Sequence, residues 1–155
     1  MQVEFELKDS FFINRSKTYD NIYNYFCNIK KIFSMAELFT LSAVIGFIND
    51  NKIEFSNDRG KDIRSEYFRT NELMNIYVIM IKSRHINAQI DDFSDYQFVK
   101  DSFKHIEEYA EGGMQILCKE VFAGNWDGND LNENYNNYEL DILSYIYEKR
   151  ISDAF

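Results

Sequence analysis

From Ser34 to Phe47 the chain reads Ser-Met-Ala-Glu-Leu-Phe-Thr-Leu-Ser-Ala-Val-Ile-Gly-Phe, and after Glu37 no charged residue follows until Asp50. Ser34 and Glu37 fit the Ser-x-x-Glu capping box, in which hydroxyl and carboxylate each satisfy a backbone N–H left free in the first turn. The helix this predicts over 34–48 has almost no solvent face. Such a helix has to be covered on several sides, which places it at the centre of the fold. Asn49-Asp50-Asn51 supplies its stop, because Asn and Asp tolerate left-handed backbone angles.

The remaining pattern is mainly helical. Val3, Phe5 and Leu7 alternate with Glu4, Glu6 and Lys8, the period of a half-buried strand, and Lys52 to Phe55 is a second extended piece with which it could pair. Ser16 reads as the cap of a helix over 17–33 with Tyr19, Ile22, Tyr23, Phe26, Ile29, Ile32 and Phe33 inward; a sharp corner then leads into Ser34. Residues 56–69 read as a loop with at most one short helix. A buried helix follows over 71–83, with Thr70 as its cap. A long helix runs from Ser94 or Asp95 to Phe122, with a stripe at Ile106, Tyr109, Ala110, Gly113, Met114, Leu117 and Val121 that keeps helical spacing through Gly112-Gly113. The alternative is a kink at Gly112. Residues 123–137 form a polar loop around Trp126, and a last helix over 138–151 buries Tyr138, Ile142, Leu143 and Ile146. The expected architecture is one helical domain over 1–155, a bundle of about five helices around 34–48 with a small strand pair. Ser42, Ala43 and Gly46 give the central helix a small-residue side that Ala110 and Gly113 could meet.

With 155 residues, 45% of them hydrophobic, core material is ample. The surplus lies in 14 Phe and 11 Tyr, which suit either a core rim or a protein interface. A net charge of −9 argues against nucleic acid held across the whole surface. Residues 121–155 carry seven acidic side chains against Lys149 and Arg150, a bias toward a basic partner. Cys27 and Cys118 stand apart with no CxxC, so neither a disulfide framework nor a zinc site is indicated and a cytoplasmic location fits. No signal peptide or apolar run of membrane-spanning length is expected.

Candidate sites are few. Asn125, Asp127, Gly128 and Asn129 resemble part of a calcium loop, but the first and last ligand positions fall on Ala123 and Asn134, so no metal is assigned. His105 and Glu108 are three apart on a helix without a second pair, as a shared metal would need. No GxSxG, phosphate loop or dinucleotide motif is present, and no cofactor is implied. Trp126, Tyr135, Tyr138 and Tyr145 are the candidate partner-binding residues of the acidic end. Arg59, Lys61, Arg64 and Arg69 are the candidate nucleic-acid contacts, though Asp58, Asp62 and Glu66 interleave with them and reduce the field.

The segment Phe33 to Phe47 with Asn51-Lys-Ile, and the later Ile106-Glu-Glu-Tyr-Ala-Glu-Gly-Gly-Met-Gln-Ile-Leu117, resemble small accessory proteins encoded beside bacterial DNA-modification and phage-defence genes, nearest to the DNA phosphorothioation system-associated family. The resemblance implies a non-catalytic accessory or bridging subunit of an antiphage complex, working beside an SMC-like ATPase and a nuclease as in complexes of the Lamassu kind, with any DNA contact made through the complex. It carries over no catalytic residue, since the shared positions are core positions. Two other readings compete: a DNA-contacting module using the four basic residues, and a small enzyme using His105 and neighbouring carboxylates.

Overall fold

In the computed structural model, which describes residues 10–154 and the side chains of residues 10–149, the helix that starts at Ser34 is the centre of the fold. Along the chain run β1 (Phe12–Ile13), α1 (Asp20–Asn24) prolonged by a π-helical turn (Tyr25–Ile29), α2 (Met35–Ile48), β2 (Ile63–Arg64), α3 (Thr70–Lys82), α4 (Tyr96–Ile116) prolonged by a second π-helical turn (Leu117–Val121), and α5 (Tyr138–Ala154). The fold is mainly α with one two-stranded antiparallel sheet, β1 against β2.

The capping box forms as its spacing predicts. Glu37 N–H donates to Ser34 Oγ at 3.0 Å, and Ser34 N–H donates to Glu37 Oε1 at 3.1 Å. At the other end Asp50 takes a left-handed φ of 52°. The corner before Ser34 is made by Lys31, also left-handed at φ 55°, while the Ile32 and Phe33 N–H groups fold back onto the Phe26 carbonyl.

α2 packs most extensively on α4. The contact is backbone on backbone. A Cβ built on Gly113 would lie 1.7 Å from the Ser42 carbonyl oxygen, and one on Gly46 would lie 1.9 Å from that of Tyr109. Ser42 turns its hydroxyl onto the Leu38 carbonyl of its own helix at 2.8 Å, so its small side chain leaves no polar group bare at the crossing. α4 is unbroken through the glycine pair, and Gly112 serves a different neighbour. Its absent Cβ admits residues 51–53, where Asn51 Nδ2 donates to the Gly112 carbonyl at 3.0 Å and Ile53 N–H to that of Glu108 at 3.0 Å.

Several local expectations are corrected. The strand expected at Val3 to Leu7 lies outside the described residues. Lys52 to Phe55 joins no ladder because Ile53 spends its N–H on α4; the strand pair is instead β1 with β2, registered Phe12 to Arg64 and Ile13 to Ile63. The first helix is a 3-10 turn, α1 and a π turn that ends at Ile29. The wider turn shifts the helical phase, so Ile29 faces solvent while Tyr19, Ile22, Tyr23 and Phe26 stay buried. Residues 56–69 hold two 3-10 turns and β2 rather than an α-helix. Thr70 is the first residue of α3 rather than its cap, and Asp95 caps α4 by accepting from the Gln97 and Phe98 N–H groups. α3 is not buried all round: Leu73, Ile76, Tyr77, Ile79 and Met80 face inward, whereas Met74, Val78 and Ile81 are exposed. In α5, Tyr138 and Ile142 are buried, but Leu143, about 100° further round the helix, is 59% exposed.

Candidate functional site

One polar surface depression is built where the segment after β1 is strapped along α4. It is a hollow of about 310 Å³ lined by Asn14, Glu54, Phe55, Ser56, Arg59, Lys104, Glu107 and Glu108. Asn14 N–H donates to Glu107 Oε2 at 2.7 Å, and one helical turn on, the Ser16 hydroxyl donates to buried Glu111. Between them Arg15 is 4% exposed, ion-pairs with Asp20 and stacks on Tyr23 at 4.3 Å from the ring centroid. Gly60 closes the strap, its N–H donating to the Arg15 carbonyl at 2.6 Å; a Cβ there would meet Asp20 Oδ1 and the Ser16 carbonyl, both at 2.7 Å. Asn14 Oδ1 and Arg15 Nε are buried without a hydrogen-bond partner.

Burial is the main cause that raises the Glu107 carboxyl from 4.5 to about 7, with the Asn14 N–H and Arg59 opposing it. Burial also raises Glu111, against the Ser16 hydrogen bonds. Two carboxyl groups on one face of α4 therefore hold their protons more strongly than free carboxylates do. The folded state binds more protons here than the unfolded chain between pH 4.5 and about 7, so the Glu107 contribution falls as pH rises through that window and is lost above it. Glu107→Gln keeps an acceptor for Asn14 and removes the titration. Thermal melts should show it more stable than the wild type at pH 8, with the difference vanishing near pH 4.5.

On the next face of α4, the Lys52 ammonium takes the position that the His105 and Glu108 spacing would offer a metal. Its Nζ lies 2.7 Å from His105 Nδ1 and 3.3 Å from Glu108 Oε1. A cation donating to Nδ1 needs the neutral imidazole, and burial, followed by Lys52, lowers the His105 pKa accordingly. The His85 ring stacks on that of His105 at 6.1 Å. Among the described residues no group of three or more His, Cys, Asp or Glu is placed to hold a metal. Burial pushes the Cys27 thiol up to about 11 and the Cys118 thiol up to about 12, so both stay protonated at neutral pH, the less nucleophilic form.

The four basic residues have different surroundings. Arg59 lines the polar hollow with Lys104 and Glu107, and Lys61 is exposed nearby in sequence. Arg64 on β2 is paired with Glu66 at 2.6 Å, and Arg69 lies at the start of α3 in a separate depression with Glu37, Glu66 and Glu72.

Of the four aromatic candidates, Tyr138 is the most enclosed. It is 3% exposed, donates its hydroxyl to the Asn132 carbonyl at 2.7 Å, and packs edge-on against Phe26 and Phe122. Tyr135 is half-buried and donates to Asp141. Trp126, also half-buried, lies 5.8 Å from the Tyr19 ring, with its Nε1 unpartnered. Tyr145 accepts from Asn49 Nδ2 at 3.4 Å, and Lys149 lies over its ring. The 123–137 loop is folded on itself: Asp127 Oδ1 accepts from the Asn129 and Asp130 N–H groups, and Gly128 takes a φ of 98°.

Sequence reasoning missed Asn14, Arg15, Glu107 and Glu111. No local pattern joins Asn14 to Glu107; the only trace is the i, i+4 placement of Glu107 and Glu111 beside the apolar stripe of α4.

A model of the family described as DNA sulphur modification system-associated protein 4 matches residues 13–144, from the second residue of β1 to the second turn of α5. The chain belongs to that family. The resemblance first carried by the α2 and α4 motifs therefore extends over nearly all of the described fold, including the polar strap, the 56–69 segment and the 123–137 loop. Neither the curated proteins nor the solved structures hold a significant match. An accessory protein of a DNA sulphur modification system is what the family description gives; the α2 to α4 crossing is the structural core of that family member. Among the described residues no helix is long and apolar enough to cross a membrane.

Proposed function

We propose that the protein is a non-catalytic accessory subunit that bridges or restrains the larger enzymes of a DNA-modification and defence system by protein contact. The observation that carries this reading is the apolar surface left open on α3 and on α5: Met74, Val78, Leu140, Leu143 and Tyr147 are each between 47% and 65% exposed. Large apolar side chains left this exposed on a chain of net charge −9 suit a partner better than solvent. Family membership supports the setting, a multi-gene system in which an associated protein works beside others. The partners are products of the adjacent genes, an SMC-like ATPase and a nuclease by the resemblance of the α2 and α4 motifs, and contact with DNA runs through them. The protein acts in the cytoplasm.

Co-expression of the full chain with its neighbouring genes tests this reading. Retention of a neighbouring subunit through size exclusion, with no nuclease or ATPase activity in the isolated chain, is the expected result. A monodisperse monomer that retains none of them, or an isolated chain that turns over DNA or ATP, overturns it.

A further inference from the structure

α2 is apolar nearly all round, yet the described residues do not cover it all round. α4 and α3 pack on it, and one stripe, Leu41, Val44 and Ile48, stays partly open, with Ile48 at 53% exposure. These residues, with Glu37, recur at helical i, i+3 and i+4 spacing and lie on one line of the helix. Over Leu41 and Val44 runs a groove of about 410 Å³, walled by Asn71, Glu72 and Asn75 of α3 and by Glu139, Ile142, Leu143 and Ile146 of α5. Val78 continues the α3 wall one turn further, on the same face as Asn71 and Asn75. From Glu37 to Ile48 the stripe is roughly 16 Å long at the rise of an α-helix, room for about three turns of a second helix.

Two further features say what fits there. The groove is rimmed by Glu37, Glu72 and Glu139, and among the described residues no Lys or Arg lines it. Its floor carries Thr40 Oγ1, buried and without a hydrogen-bond partner. An apolar floor between acidic lips suits an amphipathic helix whose apolar stripe is flanked by Lys or Arg. A second copy of this chain, itself of net charge −9, would bring like charge to those lips.

We propose that the groove between α2, α3 and α5 binds a basic amphipathic helix of a partner subunit, which completes the burial of α2. This rests on the accessory-subunit reading and adds the surface and the partner's chemistry. The groove supplies apolar area from Leu41, Val44 and Leu143, and the three carboxylates set the helix register.

The test uses the full chain co-expressed with its neighbouring genes. Leu143→Glu changes a side chain already 59% exposed, and its melting temperature should match the wild type. It should cut retention of the partner subunit about tenfold or more, as loss of a central apolar anchor does. Glu72→Lys with Glu139→Lys should also weaken retention, more so at low salt; Glu37 is spared because it caps α2. Ile90→Glu, exposed outside the groove, should leave retention unchanged. A photocrosslinker at position 143 should capture a partner peptide with apolar residues at i, i+3 or i+4 and i+7 and with Lys or Arg beside them. If the wild type retains a partner and Leu143→Glu retains it equally, the groove assignment is overturned while the accessory reading stands. If the crosslink joins two copies of this chain, the partner helix is overturned in favour of a homodimer. A wild type that retains no subunit overturns both.

Discussion

Gly113→Ala is expected to melt on the order of 10 °C below the wild type, the shift that a loss of about 3 kcal/mol gives in a chain of this length. The sign is set by geometry. An added Cβ would sit 1.7 Å from the Ser42 carbonyl oxygen, and the obstructing atom is backbone, so no side chain can rotate away. α2 and α4 would have to separate, loosening the largest helix contact in the fold. Alanine's helix propensity, worth about 1 kcal/mol over glycine, works in the opposite direction and is outweighed. Gly46→Ala should cost a similar amount, since its Cβ would meet the Tyr109 carbonyl from the other side. The double variant should cost less than the sum of the two, because one separation of the helices relieves both clashes. Circular-dichroism melts of the three variants measure this; a Gly113→Ala that melts with the wild type would refute the crossing.

Phe26→Ala is expected to be as damaging, about 3 to 5 kcal/mol for a buried aromatic truncated in a packed core. Phe26 is fully buried and lies within 6.0 Å, centroid to centroid, of Tyr25, Phe33, Phe122 and Tyr138. Those rings come from the π turn after α1, the corner before α2, the end of α4 and the start of α5. One truncation therefore loosens the join on which α5 is seated. Hydrogen exchange should show the amides of 123–149 losing protection before those of α2 and α4, and the groove that α5 walls should lose its partner in step.

The two predictions differ in how far the sequence foretold them. The small side of α2 and the run of the α4 stripe through Gly113 are local patterns at period 3.6, and they point to a close crossing by themselves. Helix starts and stops were equally legible at Ser34 and Asp50, and within one residue at Asp95, where a single side chain or a left-handed residue does the work. The four-ring join around Phe26 was not legible. Its members lie more than a hundred residues apart at the extreme, and two π turns, which no periodicity announces, set their directions.

The candidate sites followed the same division. Several of the aromatic and basic residues singled out by type have partners within the fold, which residue type does not announce: Arg64 pairs with Glu66, and Tyr138 donates to the Asn132 carbonyl and lies 4.8 Å from the Tyr135 ring. The polar strap of Asn14, Arg15 and Ser16 on Glu107 and Glu111 depends on pairs more than ninety residues apart, beyond any local window.

By itself the sequence determined a mainly helical chain, a capped and apolar central helix, a glycine-bearing helix to meet it, and the family, since these depend on neighbours within a turn or two. Only the tertiary structure decided which side of that helix stays open. Burial of α2 comes from α4 and α3, and the described residues leave Leu41, Val44 and Ile48 short of full cover. That shortfall is a property of packing between distant segments, and it is where the case for a partner lies.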